Sequence, residues 1–420
     1  MKTKTPSRVR LVPTETSGQS LTAVLIMHVC ATVASRDFVS SFGHIWCMAI
    51  EGDGTCLVCT RSALYAIPPD DGGGWRDAMP ELIAGQHNAT RIGLKDGQGS
   101  QAKFNYPRGI CVDRQGNILL ADSCNNAVRK VTRSGAVTTL AGALGIAGHA
   151  DGRGSAALFS NPTGVAVCSD GTILVADTDN HCIRTVSSTD GTTETVAGRL
   201  VGYDDGEGKS ARFCYPGACT LDSGGNLIVA DAGNDCIRRV SLPLSSAACP
   251  WLVTTVAGSA GSRGFVDGER TEALFSCPTA VAVDSSDNVL VADRKNHRIR
   301  MVDHSSGRVR TLCGSAEPGR SDGTGILAHF NQPHTLALDR IGQLFVAEFK
   351  CLGRVRVARI HLPWSMLRIL FVGLLKCRAT AGGTGCWFAL LPVESSKGLT
   401  SPMLNHIIQH IYPVCHGLRS

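Results

Sequence analysis

Aromatic side chains are scarce: Phe, Trp and Tyr make up 5% of the 420 residues. Acidic residues are nearly missing from both ends. Residues 1–20 carry four basic side chains against Glu15, and residues 351–420 carry eight against Glu394. Subtracting those ends, +3 and +7, from the chain's +6 leaves residues 21–350 at −4, so nothing in the central region suggests a track for nucleic-acid phosphates. Long apolar runs are absent. Leu21–Ala34 is 14 residues long, and Met366–Leu375 contains Arg368, so neither is a convincing bilayer span.

Catalytic signatures are absent too. There is no His-Glu-x-x-His, no Gly-x-Ser-x-Gly and no paired-carboxylate constellation. Gly206-Glu-Gly-Lys209-Ser210 resembles a phosphate loop, but Tyr203 stands where that loop requires glycine. The Gly-x-Gly-x-x-Ala pattern of 206–211 recurs at 97–102 and 152–157, which marks a repeat-linked turn; a dinucleotide fingerprint occurs once. The Asp-Gly loops offer one or two carboxylates each, too few for calcium. Cys56-Leu-Val-Cys59 lies in an apolar strand context and no second pair completes a zinc site. No cofactor or metal is expected.

Turn chemistry and repetition are what the chain has instead. Glycine numbers 47. The stretch Ala176-Asp177-Thr-Asp-Asn180-His-Cys-Ile183-Arg184 returns around Asp122/Arg129, Asp231/Arg238 and Asp293/Arg300, with a failing copy at Glu348. Each acid follows a phenylalanine by 18 residues, and Phe104, Phe159, Phe213, Phe275 and Phe330 are 55, 54, 62 and 55 residues apart. Such a period is the mark of a repeat architecture. Each unit reads as four short strands with Gly/Asn/Asp turns, a meander repeated as in a β-propeller. The Phe-x-x-Pro that opens each unit suits a ring wedged between neighbours and an innermost strand entered without wasting a ladder donor.

In chain order, residues 1–20 are basic and expected to be disordered. Residues 21–42 read as an apolar strand of the repeat domain or a signal or transit peptide. The repeat domain runs over 43–360, with units at about 43–85, 104–142, 159–198, 213–258, 275–314 and 330–360, the first and last degenerate. The last lacks a closing strand, which Leu21–Ala34 or Met366–Leu375 could supply. Residues 361–420 match nothing in the repeat. The 18 cysteines do not recur at one repeat position and fall mostly in apolar contexts, which suggests reduced thiols and an intracellular, cytoplasmic protein.

The combination Phe-x-x-Pro-x-Gly, then Gly-Asn-Ile-Leu-Leu-Ala-Asp-x-x-Asn-x-x-Ile/Val-Arg, then Thr-Thr-Val-Ala-Gly resembles the NHL-repeat family over about residues 80–350. The resemblance implies an all-β, six-bladed propeller of four-stranded blades, usually a scaffold for protein or RNA partners. Similar plant and algal arrays stand beside BTB/POZ or thioredoxin-like modules, neither of which is recognisable here. The leading expectation is a monomeric, non-catalytic scaffold for an unidentified protein partner, related to ubiquitin-adaptor or signalling roles. RNA binding is the alternative, disfavoured by the acidic repeat region. A lyase or lactonase with a metal in the central channel is a second alternative, which aliphatic innermost strands such as Val165–Val167 and Val281–Val283 disfavour.

Strict phasing with the repeat assigns Asp122, Arg129, Asp177, Arg184, Asp231, Arg238, Asp293 and Arg300 to internal bridges. The second-to-third turn and the inter-unit loop are expected on one face. Arg153, His181, Lys209, Arg212, Arg263, Lys295, His297 and Arg320 would gather there among acids of nearly cancelling charge, as a mixed polar docking surface. The residues that vary between copies, in the Asp-Gly loops and after each asparagine, are where specificity is expected.

Overall fold

A computed structural model describes residues 29–32, 44–69, 78–87, 93–241, 251–349 and 355–359. All belong to the compact unit Met1–His361. Residues 1–20 and 361–420 lie outside the described residues, as does most of 21–42. The described strands are short and antiparallel, and fall into six sheets. Their innermost strands are Cys47–Ile50, Pro107–Val112, Pro162–Val167, Pro216–Leu221, Pro278–Val283 and Pro333–Leu338. Each lies beside the innermost strand of the next sheet, and Pro333–Leu338 lies beside Cys47–Ile50. The result is an all-β propeller around a central channel.

Close approach explains the glycine two residues after the proline. A Cβ on Gly109 would stand 2.6 Å from the carbonyl oxygen of Thr163, and one on Gly164 would stand 2.5 Å from that of Gly217. Any side chain at these positions would force adjacent innermost strands apart. The phenylalanines fill the wedges farther out. Phe104, Phe159, Phe213, Phe275 and Phe330 are fully buried. Phe213, for example, sits among Leu174, Ile183 and Ala197 of the third sheet and Leu227, Val229 and Val240 of the fourth.

Two expectations need correction. Only the first sheet has four strands; the others have five. The Asp-Gly loop is more than a connection: Gly97–Gln98, Gly152–Arg153, Gly206–Glu207 and Gly268–Glu269 each add a two-residue strand to the outermost edge of the sheet that follows. That covers backbone donors and acceptors an open edge would leave unpaired. The missing strand of the last sheet comes from the N-terminal side. Val29–Thr32 pairs antiparallel with Val355–Arg359, from Val29 opposite Arg359 to Thr32 opposite Arg356, and on its other side with Gly323–Thr324. Met366–Leu375, the other candidate, lies outside the described residues.

The twelve cysteines from Cys47 to Cys313 whose side chains are described are free thiols. Burial pushes the thiols of Cys182 and Cys236 far up, which keeps them protonated and unreactive. Among the described residues no helix is long and apolar enough to cross a membrane.

Candidate functional site

Four repeated polar clusters are the first candidates. In each, an arginine with no exposed surface reaches two carboxylates. Its Nη1 donates to the strand-end aspartate: Arg129 to Asp122 at 2.6 Å, Arg184 to Asp177 at 3.0 Å, Arg238 to Asp231 at 2.9 Å and Arg300 to Asp293 at 2.8 Å. Its Nη2 donates to the loop aspartate, Asp96, Asp151, Asp205 or Asp267, at 2.7–2.9 Å. Asn125, Asn180, Asn234 and Asn296 donate both to the buried aspartate and to a loop carbonyl, that of Gly93, Gly148, Gly202 or Gly264. The loop aspartates also accept from the hydroxyls of Thr139, Thr195, Thr255 and Thr311. Burial lifts the carboxyls of Asp122, Asp177, Asp231 and Asp293 to about 6, against the pull of the arginine, asparagine and amide donors, so they remain ionised at neutral pH. With the carboxylates and both Nη groups spent on one another, the cluster is a fastening, and the Nε atoms it leaves unpartnered, those of Arg129, Arg184 and Arg238, are buried.

The same geometry engages side chains at two positions where specificity is expected. The loop aspartates Asp96, Asp151, Asp205 and Asp267 are held by the buried arginines. The residue after each asparagine adopts a left-handed backbone, with φ of 55° at Asn126, 55° at His181, 54° at Asp235 and 56° at His297. There each side chain accepts from the pre-proline amide of the next sheet: Asn161 to Asn126, Tyr215 to His181, Cys277 to Asp235 and Gln332 to His297. His181 and His297 are therefore links between neighbouring sheets. Burial lowers the pKa of His181, which suits an imidazole that must present a bare Nδ1.

The remaining expected face residues do not share one surface. Arg153 lies on the outermost strand, against Asp190 of the third-to-fourth turn at 3.4 Å. Lys209 follows the equivalent strand Gly206–Glu207 and lies 4.0 Å from Asp151. Arg212 pairs with Asp204 at 3.0 Å and Arg263 with Asp235 at 3.2 Å. Lys295 is exposed in the second-to-third turn beside His297, and Arg320 is exposed in the loop before the last sheet. The loop bends along the outer edge instead of staying at one end, because it must supply the fifth strand.

A different group converges at the channel mouth, at the end carrying the second-to-third turns. Trp46 packs edge-on against Tyr106, Phe349 and His334, with centroids 5.0, 5.7 and 5.8 Å away. His44 stacks on Phe349 at 5.5 Å. The guanidinium of Arg108 lies over Trp46 at 5.1 Å and that of Arg294 over Phe349 at 4.5 Å. This group does not show in the repeat pattern, because its members do not recur. Arg108 and His334 occupy the position after the proline, where the other sheets carry Thr163, Gly217 and Thr279. Arg294 and Phe349 follow the strand-end acid, where the others carry Ser123, Thr178 and Ala232. Departures from the repeat at those phases were the available signal. The innermost strands are otherwise mostly aliphatic, as expected, with Arg108 and His334 the exceptions at their entrances.

Burial, then Arg294, Arg108 and His44, pushes the pKa of His334 down to about 3. Unfolded, this histidine titrates near 6.5. Its contribution is complete above that pH and is lost as pH falls from about 6.5 towards 3, because the unfolded chain takes up the proton first. The stability gap between the wild type and His334→Gln is therefore expected to shrink by about 1–2 kcal/mol between pH 7 and pH 4.5, a figure discounted for water in the channel. Urea titrations at both pH values would measure it, and an unchanged gap would count against it. The four raised aspartates titrate in the opposite sense, but they are common to both proteins and cancel.

Elsewhere, a cleft of about 170 Å³ lies between the fourth and fifth sheets at the opposite end. Its polar groups are engaged, Arg239 with Asp222 at 2.7 Å and the Ser223 amide with Asp287 at 2.8 Å. Among the described residues no three His, Cys, Asp or Glu side chains converge as a metal-binding set.

The fold and its fastenings define a repeat-built β-propeller with a basic, aromatic channel mouth. The NHL repeat profile matches residues 104–131, 159–185 and 275–300. The chain thus carries NHL repeats at those positions. It is 28% identical over 275 residues to Protein SUPPRESSOR OF QUENCHING 1, chloroplastic, of Arabidopsis thaliana, covering 61% of this chain and 25% of that one. It is 28% identical over 313 residues to human NHL repeat-containing protein 2, covering 65% and 41%. The chain therefore spans well under half the length of these relatives. Two solved structures described as auxiliary nutrient binding proteins share the fold. That from Bacteroides thetaiotaomicron VPI-5482 has TM-score 0.57 at 15% identity, covering 76% of this chain and 69% of its own. That from Bacteroides ovatus ATCC 8483 has TM-score 0.56 at 16% identity, covering 80% and 77%.

Proposed function

We propose that this protein is a monomeric, intracellular, non-catalytic propeller of six blades that docks a protein partner on the face bearing the second-to-third turns. One observation carries the reading: successive inter-sheet loops expose apolar side chains at that end. Ile146 is 57% exposed, Leu200 60%, Val201 55% and Val266 44%. Hydrogen bonds from Gly145 to the Asn125 carbonyl and from Gly261 to the Asn234 carbonyl tie these loops to the turns. Exposed apolar side chains recurring on one face favour a protein partner over solvent. Paired charges beside them, such as Arg263 with Asp235, suit register and specificity better than phosphate binding. Free thiols at all twelve described cysteines support an intracellular setting, and the circle of innermost strands supports the blade count. An ubiquitin-adaptor or signalling role is one form such docking could take.

Affinity purification with the full chain, followed by identification of proteins and RNA, tests this. A protein recovered with the wild type is expected to fall at least tenfold with Leu200→Asp/Val201→Asp, while an Arg153→Gln variant on the rim retains it. Recovery of RNA alone, persisting at high salt, would overturn the reading, as would indifference to the loop substitutions.

A further inference from the structure

Among the described residues, the channel mouth gathers several cationic or chargeable side chains. The charged or chargeable groups facing His334 are Arg294, Arg108 and His44. Arg108 has no hydrogen bond or ion pair among the described residues, and its Nε is buried without a partner. Arg294 has a single contact at 3.3 Å, from Nη2 to Oε1 of Gln332, and its Nε is likewise buried and unpartnered. Neither ring nitrogen of His334 has a partner of normal geometry. The Nε atoms of the fastening residues Arg129, Arg184 and Arg238 are buried and unpartnered too; the contrast lies in the carboxylates, two of which hold each fastening arginine while none is bonded to Arg108 or Arg294 among the described residues. A buried guanidinium edge without an acceptor costs free energy unless a ligand completes it.

Shape narrows the ligand. The guanidinium carbons of Arg108 and Arg294 lie over the rings of Trp46 and Phe349, and a guanidinium's fork of N–H donors suits a carboxylate. Three ring surfaces, those of Trp46, Tyr106 and Phe349, border the same space. A hydrated phosphate gains nothing from such walls, whereas an organic acid buries its apolar body against them. Across the channel the equivalent positions are Thr163, Gly217 and Thr279, small residues that leave room. Ser123 and Thr178, equivalent to Arg294, instead spend their hydroxyls on the carbonyls of Pro162 and Pro216 at 2.6 and 2.8 Å.

We infer that the channel mouth is a recognition site for a carboxylate borne on an aromatic or apolar body, bound between Arg108 and Arg294 and bordered by Trp46 and Phe349. The acid could arrive free or as the terminus of a peptide. This stands apart from the docking reading, since it uses no exposed loop residue.

Calorimetric titration of the full chain at constant ionic strength tests it without any variant. The probes are benzoate for a free acid, acetyl-Gly-Gly-Phe with a free carboxyl terminus for a peptide, the same peptide as its amide, and inorganic phosphate. At least one of the two acids is expected to bind at least tenfold more tightly than both the amide and phosphate. Tighter benzoate identifies a free acid as the source, and a tighter peptide acid identifies a chain terminus. Arg108→Gln or Arg294→Gln is expected to weaken that binding at least tenfold while far-UV circular dichroism is unchanged. Binding of acid and amide with equal affinity, preference for phosphate, or retention of full affinity in both folded variants would overturn the inference.

Discussion

Replacing Arg238 by alanine is expected to destabilise the propeller by about 3–5 kcal/mol, the cost of leaving a buried charge without its partner. The side chain is fully buried and bonds Asp231 at 2.9 Å, Asp205 at 2.7 Å, and the carbonyls of Arg212 and Asp204 at 3.0 and 2.8 Å. It also lies against the rings of Tyr203 and Phe213, 4.8 and 5.1 Å away. Truncation strands Asp231, which has no exposed surface, and frees the loop that Asp205 ties down. The exposed pair Arg153–Asp190 provides the contrast: Arg153→Ala should cost under about 1 kcal/mol. Urea midpoints for the two variants, with the slope checked for a change in cooperativity, give the comparison. Converting the pair together, Asp231→Asn with Arg238→Met, is expected to cost clearly less than the sum of the single changes. Additivity would mean the two side chains do not act as a unit.

Phe213→Ala is the second large effect, expected at about 3–5 kcal/mol, towards the upper part of the range for a buried aromatic. The reason is that the site cannot collapse. A Cβ on Gly198 would come within 2.7 Å of the phenyl ring, and the glycine holds a φ of 75°. Backbone of the third sheet thus already touches the ring on one side, with strands of the fourth on the other, and neither can move in without disturbing its ladder. Phe213→Leu, which fills most of the space, should cost about 1–1.5 kcal/mol. Amide exchange should quicken in both Thr192–Gly198 and Leu227–Asp231 if the ring couples the two sheets. Acceleration confined to one sheet would contradict that role.

The fold was legible because its determinants repeat. Phenylalanine, proline, aspartate and arginine recur in step with the strands, so their spacing alone outlines the meander and assigns the arginine to a bridge. The partners beyond the unit were not legible. That Asp205 serves Arg238, or that His181 accepts from the amide of Tyr215, depends on how one sheet meets the next, which no local pattern encodes. The fifth strand escaped for a similar reason: Gly206–Glu207 is two residues long, and only its pairing with Leu252–Val253 makes it a strand. The channel mouth was hidden by the very regularity that exposed the fold. Attention to conserved phases within the repeat passes over Arg108, Arg294 and His334, because each is a singular residue at a phase where other sheets carry something small.

One feature of the last sheet sets the order of events in the life of the chain. Val29 stands opposite Arg359 in the register, so one strand of this sheet waits for another about 330 residues further along the chain. Every other sheet can assemble as its strands emerge, from neighbours close in sequence, but this one closes only after the rest exist. Pairings so distant in sequence form slowly. The same sheet is then the natural place for the circle to come undone. Tension on the N-terminal side acts directly on the strand Val29–Thr32, and releasing it frees the outer edge of Val355–Arg359 while the five remaining sheets keep all of their own strands.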